Sequence, residues 1–350
     1  MEISVCLIVK NEEDVIERCL NCVCKFADEI IVVDTGSNDA TKNIAQRHTN
    51  FVYDFKWNNN FADARNFSFS KATKDYVMWL DADDIITNEE IEKIKNLKQN
   101  MLADTYMLKY AISFDSKNKP IFSYYRERIL KRNKFAKWEG FVHEAICPFG
   151  KIEYVNITIE HHKLKNSNPK RNLKIYEEHL KHGEKLSARG QYYYCKELFY
   201  NLKYKKCIKE IKKYFSMPNQ FEPNLLDAYL TIAKCYKNLN NKNKSLDYLL
   251  NCLKFVLPNS EILCEIGNIF TSMLKYKQAI FFYECALNVV PNYQSGQFID
   301  ENFYYLYPNL QLTMLYYKTG NYDKAKKHHL LSKVFSPTNS SVLFNEQFFK

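Results

Sequence analysis

Short apolar runs that end in polar turns alternate with amphipathic stretches through the first half of this 350-residue chain. The runs Ile3–Val9, Glu29–Val33 and Tyr76–Leu80 are rich in β-prone residues, which predicts buried strands. Strand, turn and helix follow one another in units of about 20 to 30 residues, so we predict a mostly parallel α/β sheet. The helix after the first strand is predicted from apolar residues at helical spacing, namely Val15, Ile16, Cys19, Leu20 and Val23.

The pattern changes from Pro169 onward to long amphipathic runs rich in Lys, Leu, Tyr and Asn. An internal repeat appears there, because Tyr276, Ala279 and Pro291 recur with the same spacing. The second copy consists of Tyr322, Ala325 and Pro337. This spacing predicts a tetratricopeptide-like array of about three to four helix pairs, with an irregular helical bundle as the alternative.

A chain of this length exceeds what one hydrophobic core usually supports. The α/β signals stop near residue 165, where the helical pattern takes over. We therefore predict two domains, an α/β domain over 1–165 and an all-α repeat domain over 166–350. Stacked helix pairs form a concave surface that suits an extended peptide, which favours a polypeptide partner for the second domain.

Acidic residues follow the strand Tyr76–Leu80 directly, at Asp81, Asp83 and Asp84. Open α/β sheets bind their ligands at the carboxyl ends of the strands. Carboxylates crowded at one point repel unless a cation neutralises them, and hard oxygen ligands suit Mg²⁺ or Mn²⁺. Such a metal would hold a diphosphate, whereas the alternative is a solvated acidic turn.

A second strand-end aspartate, Asp34, begins the turn Asp34-Thr35-Gly36-Ser37. Its carboxylate could accept hydrogen bonds from a nucleotide base or ribose. The same sequence is also compatible with a plain turn, followed by a helix whose N-cap is Ser37 or Asn38.

Together these segments resemble the large family 2 glycosyltransferases of the GT-A fold, a Rossmann-like mixed sheet that binds nucleotide-diphosphate sugars. Their order and spacing over the first 85 or so residues make the resemblance specific. The motifs that carry it are Val9-Lys10-Asn11-Glu12-Glu13, Asp34-Thr35-Gly36-Ser37, Trp57 with Phe61-Ala62-Asp63-Ala64-Arg65-Asn66, and Leu80-Asp81-Ala82-Asp83.

The resemblance implies a role for several residues of the donor site. Asp34 would contact uracil, Asp81 would lie near the ribose or the metal, and Asp83 would ligate the metal. Arg65 would lie near the nucleotide. The other donor-site residues implied by the motifs are Val9, Asn11, Glu12 and Ala82.

A further metal ligand is implied by the stretch that ends in His161. The family has His-x-Gly-Tyr there, whereas this chain has His161-His162-Lys163-Leu164. His161 holds the matching place, and His162 beside it stays an alternative. An ordinary strand end with no ligand role is the other interpretation.

Transfer of a sugar also needs a general base close to the acceptor. We predict Glu144 for this role, since it follows Trp138, Gly140 and Phe141, which could wall a sugar pocket. Glu139 and Asp84 are rivals, and Glu144 could instead pair with Arg128. The resemblance further implies inversion at the anomeric carbon in a single displacement.

The net charge of +10 leaves nucleic acid or an anionic membrane as possible partners. The lysines are spread over predicted helix faces and no aromatic-basic motif is found, so we expect no nucleic-acid partner. We find no apolar span of transmembrane length and no signal peptide. Eleven cysteines are compatible with reduced thiols, and we expect a cytoplasmic protein.

These observations predict a Mn²⁺- or Mg²⁺-dependent inverting hexosyltransferase that uses a UDP-sugar. The expected acceptor is a Ser, Thr or Cys side chain of a protein or peptide such as flagellin, bound through the repeats. One alternative is a transferase acting on a cell-surface glycan or lipid-linked core. Another is a non-catalytic scaffold, against which the intact Asp34, Arg65, Asp81 and Asp83 argue.

Overall fold

A computed structural model describes residues 1–114, 120–164, 168–292 and 299–349. The chain forms two compact units, Met1–Glu184 and Lys185–Lys350. The strands of the first unit are β1 (Ile3–Val9), β2 (Glu29–Asp34), β3 (Val52–Asp54), β4 (Tyr76–Leu80), β5 (Asp84–Ile85), β6 (Thr105–Phe114), β7 (Pro120–Lys131), β8 (Trp138–Glu139), β9 (Ala145–Ile146) and β10 (Ile152–His161). Its helices are α1 (Ile16–Val23), α2 (Thr41–His48), α3 (Phe61–Lys71), α4 (Asn88–Gln99) and α5 (Arg171–Lys181).

The main sheet has the strand order β3-β2-β1-β4-β7-β6-β10-β5. Strands β3, β2, β1 and β4 are parallel, as the repeated strand-turn-helix pattern predicts. Beyond β4 the sheet is mixed, because β7 runs antiparallel to both β4 and β6, while β6 and β10 are parallel. This is the Rossmann-like mixed sheet of the GT-A fold, as predicted.

Both faces of the sheet are covered by apolar side chains. Alternate residues of β1 point to opposite faces, so Val5 and Leu7 pack in one core cluster and Cys6 packs in the other. Residues from α1, α2 and α4 belong to the first cluster, whereas α3 and the β8–β9 hairpin contribute to the second. Strand β4 is buried along its whole length, which explains its continuous apolar sequence.

The first unit extends beyond the predicted boundary at residue 165. Helix α5 is part of this unit, since the buried Tyr176 donates a hydrogen bond from its hydroxyl to Val142 O at 3.2 Å. The ring of His179 stacks on Phe141 with centroids 3.8 Å apart. The amphipathic pattern that begins at Pro169 therefore starts with a helix of the α/β unit, before the repeats.

The second unit is helical throughout the residues that the structure describes. Successive helices pair as α6 with α7, α8 with α9, α10 with α11 and α12 with α13. Their bounds are α6 (Ala188–Tyr200), α7 (Tyr204–Phe215), α8 (Glu222–Asn238), α9 (Lys242–Cys252), α10 (Ser260–Ser272), α11 (Tyr276–Leu287), α12 (Leu306–Lys318), α13 (Tyr322–Phe335) and α14 (Ser340–Glu346), with a 3₁₀ turn at Glu301–Phe303.

Two of the repeated residues lie at equivalent positions, as the internal repeat predicts: the tyrosine is the first residue and the alanine the fourth residue of both α11 and α13. Ala279 and Ala325 are fully buried, one in each helix. Small residues are needed where the helices meet: a Cβ added at Gly267 of α10 would lie 2.8 Å from Cζ of Tyr283. Over the residues that the structure describes in this unit, the array thus contains four helix pairs. In the described part of the chain, every helix is too short or too polar to cross a bilayer.

Candidate active site

A cavity of about 520 Å³ opens at the carboxyl ends of β1 and β4, the edge at which open α/β sheets bind ligands. Asn11 and Asp34 are the two predicted site residues outside its wall, and Asp34 directly precedes the lining residue Thr35. The predicted residues that line it are Val9, Glu12, Arg65, Asp81, Ala82, Asp83, Glu144 and His161.

The turn after β2 holds the Asp34 carboxylate with one oxygen saturated and the other unpaired. Oδ1 accepts backbone N–H bonds from Gly36 and Ser37, both at 2.8 Å, and Gly36 has φ of +103°, which favours glycine. Thr35 ties the turn to β1 through its N–H and hydroxyl, which both donate to Val9 O. Oδ2 of Asp34 is buried without a hydrogen-bond partner in the structure. A buried orphan acceptor of this kind fits an N–H donor from a ligand.

The segment after β1 is tied to the same turn. Asn11 adopts a left-handed conformation with φ of 56°, donates its N–H to Ser37 Oγ at 2.9 Å and accepts from the N–H of Asn38 at 2.8 Å. The N–H of Glu12 donates to Thr41 Oγ1 at 2.7 Å. The two turns that flank the predicted nucleotide site thus form one hydrogen-bonded unit.

Arg65 joins two of the predicted site residues, the donor-site Asp81 and the candidate base Glu144. This buried residue of α3 donates from Nη2 to Asp81 Oδ1 at 2.8 Å and from Nε to Glu144 Oε1 at 2.7 Å. Its guanidinium also lies over the rings of Trp79 and Trp138, 5.0 and 4.7 Å from their centroids. The alternative that Glu144 pairs with Arg128 is wrong, because the partner of Glu144 is Arg65.

Asp81 is held in its charged form. Burial favours the neutral acid, but the positive charges of Arg65 and Arg128 outweigh it and lower the pKa of Asp81 to about 2. Asp83 has a different environment: burial, together with the charges of Asp81 and Asp84, raises its pKa despite the opposing effect of His161. A cation placed among these groups would relieve that repulsion.

Three side chains could offer ligand atoms to a metal at the end of β4. One atom each from Asp81, Asp84 and His161 lies within 4.8 Å of the others, and His161 Nδ1 lies 3.3 Å from Asp83 Oδ1. His162 has other partners, since its Nε2 lies 2.8 Å from Glu160 Oε2 and its ring stacks on Phe114. The geometry therefore favours His161 over His162.

Charge and donor chemistry both fit a divalent cation. Within the group formed by Asp81, Asp83, Asp84 and Glu144, the guanidiniums of Arg65 and Arg128 neutralise two carboxylates and leave two negative charges. Carboxylate oxygens with one imidazole suit Mn²⁺ and, less well, Mg²⁺. Asp81, Asp83 and His161 would hold such an ion at the cavity wall.

Several cavity residues were not predicted as part of the site. Tyr110 on β6 and Arg126 on β7 line the cavity, because β7 inserts between β4 and β6 in the sheet order. His143, with φ of 54°, and Arg171 at the start of α5 also belong to the wall. The signal that could have found His143 and Arg126 is the run of charged residues on either side of Trp138. Which of those residues reach the cavity depends on the sheet order.

Comparison with known proteins assigns the first unit to a family. Residues 4–150 match the description "Glycosyl transferase family 2". The glycosyltransferase SunS of Bacillus subtilis (strain 168), described as SPbeta prophage-derived, is 27% identical over 255 residues, which cover 67% of this chain and 58% of SunS.

A second relative matches over a shorter stretch. A TPR repeat-containing protein of Synechococcus elongatus is 36% identical over 95 residues, which are 27% of this chain and 24% of that protein. The chain thus matches a quarter to three fifths of the length of these curated relatives.

Among solved structures, residues 1–349 of S. aureus TarS in complex with UDP-GlcNAc align with 97% of this chain and 93% of that chain, at 13% identity and a TM-score of 0.40. The family match coincides with the sheet, the strand-end aspartates and the cavity that they line. This chain therefore carries a family 2 glycosyltransferase domain of the GT-A fold, followed by tetratricopeptide-like helical repeats.

Proposed function

We propose that this protein transfers a hexose or N-acetylhexosamine from a UDP-sugar to a Ser, Thr or Cys side chain of a peptide or protein. The observation that carries the proposal is that a group of candidate metal ligands and a buried unpaired carboxylate oxygen lie along the same edge of the sheet. Asp81, Asp83 and His161 lie together at the end of β4, and the unpaired oxygen of Asp34 lies at the end of the nearby β2.

The Asp34 turn supports a uridine nucleotide. Uracil has an N–H flanked by two carbonyl groups, and a carboxylate can only accept hydrogen bonds when ionised. Oδ2 of Asp34 is the acceptor available for that N–H, since Oδ1 is already bonded to Gly36 and Ser37. Strands β2, β1 and β4 are consecutive in the sheet, so the base and the diphosphate would lie along one edge.

The diphosphate would meet a metal and basic side chains. A divalent cation held by Asp81, Asp83 and His161 would supply Lewis-acid stabilisation of the leaving diphosphate. Once that cation balances the two remaining carboxylate charges, the phosphates need cations of their own. Lys10, Arg126 and Arg171 line the same cavity and could supply them.

Glu144 is the proposed general base. Its Oε1 accepts from Arg65, which orients the carboxylate and leaves Oε2 as the oxygen that could take the acceptor's proton. The side chain is 12% exposed and lines the cavity, so it is reachable from the site and largely shielded from water. Attack by the acceptor oxygen or sulfur on the anomeric carbon, with departure of UDP, would invert that carbon in one step.

The helical repeats are the proposed acceptor-binding region. Consecutive helices α6, α8 and α10 are linked by the ion pairs Lys196–Asp227, Lys234–Glu261 and Lys237–Glu265, with N–O distances of 2.7, 2.9 and 3.0 Å. These pairs neutralise one another, so we expect a peptide that is recognised by shape and hydrogen bonds more than by net charge.

A donor-hydrolysis screen tests the proposal. The purified chain would be incubated with Mn²⁺ and a panel of UDP-, GDP- and CMP-sugars, and release of the nucleotide would be measured. We expect slow hydrolysis of one or more UDP-sugars and none of the others. Turnover of a GDP- or CMP-sugar alone would contradict the role of Asp34, and full turnover in EDTA would contradict the metal.

A further inference from the structure

Asp84 contacts two of the proposed metal ligands, His161 and Asp81. It is the first residue of β5, and the antiparallel register of β5 and β10 places it directly opposite His161. Its side chain is fully buried. A buried carboxylate is costly unless it is paired and hydrogen-bonded, so its partners identify what it does.

Both oxygens of Asp84 are already in use. Oδ1 lies 3.0 Å from the hydroxyl of Tyr110 and 3.1 Å from His161 Nδ1. Oδ2 accepts from Nη1 of Arg128 and from the backbone N–H of Asp81, both at 3.0 Å. With two partners on each oxygen, Asp84 has little capacity left for a metal, although its atoms lie among the candidate ligands.

Arg128 is the buried cationic partner of Asp84. It is fully buried, and its guanidinium lies between the rings of Trp79 and Tyr110, 3.5 and 4.1 Å from their centroids. Its Nη1 also donates to Trp79 O at 3.1 Å. The carboxylate of Asp84 therefore has a fixed cationic partner.

The contact with Asp84 determines how His161 presents its ring. Nδ1 faces Asp84 Oδ1 at 3.1 Å and Asp83 Oδ1 at 3.3 Å, and a lone pair there would be repelled by both oxygens. The proton of the neutral ring therefore belongs on Nδ1, and the lone pair of the ring is then on Nε2.

We propose that Asp84 is a positioning residue of this centre. It fixes the tautomer and orientation of His161 and holds the backbone of Asp81, while Arg128 and Tyr110 keep Asp84 itself in place. The metal-binding part of this inference rests on the proposed function, whereas the tautomer can be measured without any metal.

The test is the variant Asp84→Asn. Arg128 Nη1 and the Asp81 N–H are both obligatory donors, so the amide oxygen should take the Oδ2 position. The amide NH₂ group would then face His161 Nδ1 and favour the other tautomer, with the proton on Nε2. We expect Mn²⁺ affinity to fall about 10- to 100-fold, the usual effect of losing such an outer partner.

Two readouts separate positioning from simple damage to the fold. Imidazole ¹⁵N chemical shifts of metal-free protein at alkaline pH report the tautomer, with His161→Gln to assign the signal, and Mn²⁺ binding is measured by electron paramagnetic resonance. The matched control is Glu29→Gln, because Glu29 is also buried, accepts from Ser4 and Thr73, and lies at the opposite end of the strands. This control should leave tautomer and affinity unchanged.

The outcomes are distinct. A wild-type ring with its proton on Nε2 would overturn the inference even if Asp84→Asn did not fold, and so would a folded Asp84→Asn that keeps the Nδ1 proton and wild-type Mn²⁺ affinity. A tautomer that switches in a protein that never binds Mn²⁺ would support positioning by Asp84 and refute the metal in the proposed function.

Discussion

The two units of this protein bury different kinds of polar side chain. Among the described residues, the first unit buries Arg65, Asp84 and Arg128 in one network at the cavity. The second unit mostly buries hydroxyl, amide and imidazole groups, such as Ser245, whose hydroxyl donates to the Ala233 carbonyl at 2.8 Å.

This difference separates residues kept for function from residues kept for stability. A buried ion pair contributes little net stability compared with apolar residues of the same volume, yet removing one partner is costly. Most buried Ser and Thr hydroxyl groups in the second unit form their hydrogen bonds with nearby helix backbone. The stacking of the repeats is therefore stabilised by apolar contacts. Substitutions in the first unit should therefore change activity most, and substitutions in the second unit should change stability most.

The largest effect is expected for Asp83→Ala. Loss of this carboxylate removes a proposed metal ligand, so sugar transfer should fall to background, as it should for the wild type in EDTA until Mn²⁺ is restored. Transfer would be followed with a radiolabelled UDP-sugar. Asp54→Ala is the control, because Asp54 also ends a parallel strand but is exposed and pairs with Lys42. Undiminished transfer by Asp83→Ala would remove this residue from the metal site.

Glu144→Gln should retain donor binding and lose transfer. The amide can still accept from Arg65 Nε but cannot take a proton, and a general base contributes about 10²- to 10⁴-fold. UDP-sugar titration by calorimetry and single-turnover transfer would measure the two effects on one variant. Glu139→Gln is the control, since Glu139 is exposed on β8. If Glu139→Gln loses most of the transfer activity while Glu144→Gln keeps it, Glu139 would be the general base and Glu144 would not.

Tyr283→Ala should affect stability without affecting the donor site. Tyr283 is fully buried against Gly267, and truncating a buried aromatic residue costs about 3–5 kcal/mol. The free energy of unfolding would be taken from urea titration, next to Tyr322→Ala, where the side chain is 59% exposed and little change is expected. UDP affinity should match wild type in both, and a parallel loss of affinity would contradict the separation of roles.

Asp34→Asn should weaken UDP binding and relax base selectivity. The amide oxygen can replace Oδ1 at the Gly36 and Ser37 N–H groups, so the NH₂ group would face the uracil N–H. Loss of a hydrogen bond to a charged group costs about 1.5–3 kcal/mol, or roughly 10- to 150-fold in affinity. Cytosine has a hydrogen-bond acceptor at that ring nitrogen, so the substitution should lower the affinity for CDP less than the affinity for UDP. Equal losses for CDP and UDP would argue against base contact.

Lys237→Ala should have the smallest effect. The lysine pairs with Glu265 at 3.0 Å but its side chain is half exposed, and exposed ion pairs contribute about 0–1 kcal/mol. Urea titration should give nearly the wild-type free energy of unfolding, and so should Glu265→Gln. If the free energy of unfolding fell by well over about 1 kcal/mol, the ion pairs between repeats would contribute more to stability than exposed pairs usually do.

Much of the fold and part of the site could be predicted from local patterns. Strands β1, β2 and β4, the aspartates at the ends of β2 and β4, and the repeats in α11 and α13 are all visible as periodic or contiguous features. The role of α5 was not predicted, because an amphipathic helix has the same sequence pattern whether it packs on a sheet or on another helix. The alternative that Glu144 pairs with Arg128 was wrong for a similar reason, because Arg65 and Arg128 are equally plausible cations when only their sequence positions are known.

The sequence by itself determined the elements, the two kinds of architecture and the acidic residues of the candidate site, because hydrophobic periodicity and strand-end residues are local properties. Only the tertiary structure decided which charges meet. The insertion of β7 between β4 and β6 brings Arg128 to Asp84, and the pairing of β5 with β10 brings Asp84 to His161. These contacts join residues 44 and 77 positions apart, and no local pattern specifies such partners because they follow from strand order and register.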